Sequence, residues 1–264
     1  MKINYRDWLR IQHLTIWKIL PILLIGINSG WAQTADSFNP NADGPVFTIA
    51  VQPDNKVLIG GNFGTLNGGY YTRDYLARLD TNGFADTFNP GANNAVYALA
   101  LQANGQIVVG GSFTVLGGQS RNQIGRVNPD GSLDLSFNPG VNGTVQCIGI
   151  QADGKILVGG FFTSLGGQAC TNVGRLNVEG SFDNTFSGAG INGTVYAIAL
   201  QTDGEIVIGG SFATAGGQTH TRLARLNTNG LVDTTFNGSA DGTVDCVAIQ
   251  ADGKLVIGGN FGSL

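Results

Sequence analysis

The stretch Val195-Tyr-Ala-Ile-Ala-Leu-Gln-Thr-Asp-Gly-Glu-Ile-Val-Ile-Gly-Gly-Ser-Phe212 carries the pattern on which the fold turns. Its first seven residues are rich in β-branched and aromatic side chains, the composition of a strand. Asp203-Gly204 then supplies a tight turn, and Glu205 to Phe212 returns as a second strand. Further on, a Gly/Thr loop leads to Leu223-Ala-Arg-Leu-Asn227, and Asn229-Gly230 turns the chain into a fourth strand ending at Phe236. Four short antiparallel strands in one stretch of this length predict a propeller blade.

The stretch is one copy of a repeat. Gly-Gly followed two places later by Phe ends at Phe63, Phe113, Phe162, Phe212 and Phe261, with spacings of 50, 49, 50 and 49. A Phe-Asn or Phe-Ser pair keeps the same register at Phe38, Phe88, Phe137, Phe186 and Phe236. So does an Arg in an apolar stretch, at Arg78, Arg126, Arg175 and Arg225. Asn104-Gly105, Asp153-Gly154 and Asp252-Gly253 repeat the first turn. No segment holds a 3.6-residue period, which excludes a helical solenoid. The reading is an all-β propeller of four-stranded antiparallel blades at about 46–90, 96–139, 145–188 and 195–238, with a partial fifth at 244–264. A unit interrupted at Leu264 predicts a truncated piece of a longer protein; alternatively, the segment around Phe38 completes the last blade.

One face of the first strand carries only small residues: Thr48 and Ala50, Ala98 and Ala100, Cys147 and Gly149, Ala197 and Ala199, Cys246 and Ala248. Crowding near an axis selects small side chains, so this strand is placed innermost with that face toward the channel.

Residues 1–32 stand apart. Lys2, Arg6, Arg10 and Lys18 precede the apolar run Ile19 to Ile27, and Gly30-Trp31-Ala32 offers a cleavage site. That order describes a secretory signal peptide. The rival reading, a membrane anchor, needs about 20 apolar residues, and Lys18, Pro21 and Asn28 bracket a shorter run. Cleavage would leave ten basic residues against 17 acidic ones, a net −7, with no tryptophan and His220 as the sole histidine. Such a chain repels phosphate backbones, so nucleic acid is not an expected partner. A secreted, outer-surface or periplasmic location is expected, with a monomer that has no membrane span after cleavage.

Long strings such as Ile150-Gln-Ala-Asp-Gly-Lys-Ile-Leu-Val-Gly-Gly160 and Arg225-Leu-Asn-Thr-Asn-Gly-Leu-Val-Asp-Thr-Thr-Phe-Asn237 resemble the delta-60 repeat family. The resemblance runs from Ser37 to Leu264 and implies β-propeller repeats in an exported bacterial protein. It implies no activity for particular residues.

Candidate chemistry is sparse. Each unit pairs its Arg with an Asp eight residues on: Arg78 with Asp86, Arg126 with Asp134, Arg175 with Asp183, Arg225 with Asp233. Because every unit has the pair, it reads as an ion pair tying the third strand to the fourth. Oxygen-bearing residues at alternate positions before a glycine, as in Asp80-Thr-Asn82-Gly83 and Asn128-Pro-Asp130-Gly131, resemble half of a calcium loop. Glu179 and Asn229 stand at the middle position in the other units, and Asn-Gly turn chemistry explains the same residues. No cofactor is expected, with calcium the alternative.

Two sets of residues are candidate ligand contacts. Asp43, Asn93, Asn142, Asn192 and Asp241 precede the innermost strands and would form a polar ring at the channel mouth, turn chemistry being the alternative. The first unit is two residues longer between Phe63 and Arg78, and its loop carries Tyr70, Tyr71, Arg73 and Tyr75, residue types that binding surfaces favour. Cys147, Cys170 and Cys246 read as three free thiols, and one histidine cannot assemble a zinc site. No nucleophile elbow, phosphate loop or dinucleotide fingerprint occurs. The expectation is a non-catalytic binding or scaffolding module for a protein or glycan. The alternatives are a propeller-type carbohydrate-active enzyme and a structural spacer in a larger surface protein.

Overall fold

The computed structural model describes residues 38–264. The expected signal peptide, at 1–32, lies outside the described residues. Each of the first four units forms a three-stranded antiparallel sheet. Their strands are Val46–Val51, Val57–Gly61 and Leu76–Leu79; Val96–Leu101, Ile107–Gly111 and Ile124–Val127; Thr144–Ile150, Ile156–Phe161 and Val173–Leu176; and Val195–Leu200, Ile206–Gly210 and Leu223–Leu226. A fifth unit contributes Thr243–Ile249 paired with Leu255–Asn260. Between the second and third strands of the complete units sits a two-residue ladder, for example Thr214–Ala215 with Gln218–Thr219.

The expected fourth strand is shorter than the sequence suggests. After the Asn-Gly turn the chain makes one antiparallel bridge back to the third strand, Leu79 with Ala85, Val127 with Leu133, Leu176 with Phe182 and Leu226 with Val232. One more hydrogen bond follows, from the Asp N–H to the Arg carbonyl, as in Asp233 to Arg225 at 2.8 Å. There the aspartate side chain captures the next N–H groups of its own segment, so the ladder stops.

The first strands are innermost, as expected. Each lies against the first strand of the next unit, and residues from all five line one cavity of about 290 Å³ on the axis. Their small face presses on the following blade and also contributes Thr48, Ala98, Cys147, Ala197 and Cys246 to the cavity wall. A Cβ built at Gly60, Gly110, Gly159 or Gly209 would lie 2.6, 2.5, 3.0 or 2.5 Å from a γ-carbon of Val96, Val145, Val195 or Val244, which heads the first strand of the next unit. Cys147 shares that face with Gly159, and Gly149 looks onto Ile198 and Leu200 of the next unit. Crowding does select small residues here, but it arises between blades, whose faces meet near the axis.

The Gly-Gly doublet is thereby explained residue by residue. Its first glycine leaves room for the neighbouring valine. At the second, a Cβ would run into the carbonyl oxygen of the residue before or at the start of the first strand, Pro45, Ala95, Thr144, Thr194 or Thr243. The following Phe63, Phe113, Phe162 and Phe212 are buried beneath the loops. The turn glycines complete the contacts at the rim. Gly83, Gly131, Gly180 and Gly230 take left-handed backbone and lie over Phe38, Phe88, Phe137 and Phe186, the closing aromatics of the preceding unit. Phe38 thus fills the slot that a preceding blade's phenylalanine fills elsewhere.

Gly110→Ala is expected to lower stability by about 1–3 kcal/mol, because the added methyl overpacks a fully buried valine. Gly64→Ala serves as the control: its φ is not left-handed and a Cβ there meets only Asp43 Oδ2 at 3.7 Å. Thermal midpoints of the two variants measured side by side check the contrast.

Candidate functional site

The inner end of each unit is built around a β-bulge. The pairing register slips between Val46 and Thr48, Val96 and Ala98, Val145 and Cys147, Val195 and Ala197, and Val244 and Cys246. The extra residues are Phe47, Tyr97, Gln146, Tyr196 and Asp245, and all five line the axial cavity. A bulge frees one residue from the ladder and re-aims its side chain. Phe47 and Tyr97 meet with ring centroids 5.3 Å apart at 38°. Asp245 is the only charged residue in the cavity wall, and no salt bridge engages it among the described residues. Cys147 and Cys246 are also in the wall, and no disulfide joins the three cysteines.

Sequence reasoning missed this ring, although a signal for it was present. Aligning the first strands gives VFTIAV, VYALAL, VQCIGI, VYAIAL and VDCVAI. Every column keeps its chemical class except the second, which passes from aromatic to amide to acid.

The five Asx residues stand four places earlier on the chain, and the structure uses them as stitches. Asn93 Oδ1 accepts from the N–H groups of Thr114 (2.8 Å) and Val115 (2.9 Å), and Asn142 and Asn192 do the same with Thr163 and Ser164 and with Ala213 and Thr214. Asp43 accepts from Gly64, Thr65 and the Thr65 hydroxyl; Asp241 accepts from Gly262, Ser263 and the Ser263 hydroxyl. The backbone N–H of Thr65 holds the Asp43 carboxyl below its usual range, and that of Ser263 does so for Asp241. These side chains fasten the entry of the first strand to the exit of the second. The cavity wall is formed by other residues.

The tyrosine loop divides in two. Tyr70 is 80% exposed and sits edge-on to Tyr71 at 4.8 Å, with the Arg73 guanidinium 5.4 Å from the Tyr71 ring centre. Arg73 also donates to the Asp86 carbonyl, a bond that Arg121 repeats on the Asp134 carbonyl in the next unit, so it belongs to the scaffold. Tyr75 packs on the second unit's core in a left-handed backbone shared with Gln123, Asn172 and Arg222.

The Arg–Asp pairs form as expected: Nε to Oδ2 distances are 2.7, 2.8, 2.7 and 2.8 Å for Arg78, Arg126, Arg175 and Arg225. Each guanidinium also lies over the closing phenylalanine of its own unit, 4.5 to 5.2 Å from the ring centre. A third contact was not anticipated. Nη1 of Arg78, Arg126 and Arg175 donates to the carbonyl of Pro129, Val178 and Thr228 in the following unit, at 2.7, 2.6 and 2.7 Å. Arg225 pairs with Glu205 at 2.9 Å. The pair therefore ties blade to blade as well as segment to segment.

At the turns considered for calcium, the oxygens serve the backbone. Asp80 accepts from Asn82 and Phe84, Asp130 from Ser132, and Asn229 from Leu231, which is Asx-turn chemistry. Among the described residues no three His, Cys, Asp or Glu converge in a cluster that could hold a metal ion.

Comparisons with known proteins follow this geometry. The sequence profile described as "Domain of unknown function (DUF5122) beta-propeller" matches residues 52–88, 102–137, 151–186, 201–236 and 250–264. Among curated proteins none matches. Of solved structures, the WD40 β-propeller domain of Doa1 superposes with a TM-score of 0.56 at 17% identity, over 82% of this chain and 61% of that one. The computationally designed Ika8 protein gives 0.53 at 15%, over 82% and 59%. Virginiamycin B lyase from Staphylococcus aureus gives 0.53 at 15%, over 80% and 62%. The chain spans about three fifths of the length of each, and at these identities the likeness concerns fold alone.

The Arg-paired aspartates set a pH limit. Burial alone would raise Asp183, but bonds from Thr185, Lys155 and Arg175 hold it far below its ordinary range. Bonds from Thr235 and then Arg225 bring Asp233 to about 2. A depressed folded-state pKa adds stability above the unfolded value, here 3.8, and the gain disappears as pH falls toward the folded value. The thermal midpoint should therefore hold from neutral pH to about 5 and fall steeply below 4. Asp183→Asn should lower the neutral-pH midpoint and flatten that acid limb in calorimetric scans.

Proposed function

This chain belongs to the DUF5122 β-propeller family, and we propose that it is an exported, non-catalytic binding module whose ligand site is the mouth of the axial channel. The observation that carries this reading is the bulge ring. Five scaffolds nearly identical in sequence present Phe47, Tyr97, Gln146, Tyr196 and Asp245 to one cavity. Within the aligned first strands this is the only column that changes chemical class, and it is the one that a spacer role does not call on. The basic, apolar, small order of residues 1–32 supports export.

Two features favour binding over turnover. The cavity holds a single carboxylate, whereas glycoside hydrolysis ordinarily needs two acids flanking the bond. The remaining unit acids described above are paired with arginines or bonded into turns. Tyr70, 80% exposed in its loop, is a second surface open to a larger protein or glycan partner.

The test is a thermal-shift screen of the full chain against small-molecule and glycan libraries. A ligand at about 100 times its Kd adds about 2.7 kcal/mol to stability. The shift should be seen in the parent protein and lost in a Tyr97→Leu/Tyr196→Leu variant. Turnover of any screened compound that vanishes in Asp245→Asn would sink the non-catalytic reading.

A further inference from the structure

We infer that the channel mouth is an aromatic cage for a small organic cation carrying a methylated ammonium group, an assignment that rests on the binding reading above. Three aromatic rings, Phe47, Tyr97 and Tyr196, come from three different units to one cavity. Phe47 and Tyr97 are in contact, their rings tilted by 38°, and both line the cavity. A sugar stacks on one broad open ring. A rounded trimethylammonium group fits the angle between two, and ring faces attract it electrostatically.

Charge points the same way. Asp245 brings a carboxylate to a wall that contains no lysine, arginine or histidine. That negative charge has no ion-pair partner among the described residues. A cationic ligand neutralises it, while an anionic one meets repulsion with nothing to offset it. The whole chain is acidic, with a formal net charge of −4, so its field also gathers cations. Thr48, Tyr97, Gln146 and Tyr196 add polar side chains to the same wall. A cavity of about 290 Å³ suits a metabolite-sized molecule and is too small for a folded partner.

The experiment is calorimetric titration of the full chain with tetramethylammonium chloride, choline and 3,3-dimethylbutan-1-ol, the uncharged carbon analogue of choline. Both cations should bind, and the alcohol should bind at least about tenfold more weakly. Asp245→Asn and Tyr97→Leu should each weaken choline by about tenfold, with thermal midpoints close to the parent's. Equal affinity for choline and the alcohol, absence of ammonium binding, or choline affinity indifferent to both substitutions overturns the assignment. If a neutral compound or sugar binds instead and Tyr97→Leu abolishes it, the cation fails but the channel site stands. If binding of every probe ignores the whole ring, the channel reading falls with it.

Discussion

The structure depends on one contact made again at each junction, a valine at the head of one blade set against a glycine in the blade before it. Val96, Val145, Val195 and Val244 are fully buried, and each occupies space that any side chain at Gly60, Gly110, Gly159 or Gly209 would take. Burying a valine contributes about 1.5 kcal/mol or more. The geometric effect exceeds the energetic one. Blades that meet without a Cβ between them approach closely at the axis, and the wedge angle between sheets follows from that approach. Stability then accumulates junction by junction, as in other repeat arrays.

The outer part of each junction is held by different means. An arginine bonds its own blade's aspartate, covers that blade's phenylalanine and reaches the next blade's carbonyl. The phenylalanine so covered is itself packed beneath the turn glycine of the next blade. A buried guanidinium with its Nε and Nη1 engaged is expensive to leave unpaired, which accounts for the retention of every member of the set from unit to unit. Apolar fit governs the junction at the axis; hydrogen bonding governs it at the rim.

Much of this was legible in the sequence. The period, the inner position of the first strand, the hairpin turns and the Arg–Asp pairs all rest on local patterns that each unit repeats. What escaped was relational. Small residues at Thr48, Ala98, Cys147, Ala197 and Cys246 signal crowding but do not say against what. Knowing that it was the next blade required the second strand's glycines and the next unit's valine in one view. Arg126 looks satisfied by Asp134 eight residues on, so its bond to Val178, 52 residues on, gives no local sign. The fourth strand was overread because Asp233 and its equivalents fit a strand pattern while their carboxylates in fact cap it. The bulges were invisible in any single unit, since Val-Tyr-Ala reads as regular alternation until its partner strand is registered against it.

Repetition constrains the positions of such a molecule unequally. Positions that touch a neighbouring blade answer to the repeat, because a change there disturbs a junction. The bulged residue stands outside the regular pairing register, and the stitch four residues upstream fastens the entry of its strand. Asp43, Asn93, Asn142, Asn192 and Asp241 hold the frame of the strand whose residues four places on enter the cavity wall. Among the columns of the first strand, uniformity is relaxed only at the bulge, where the five units bring five residues to one cavity.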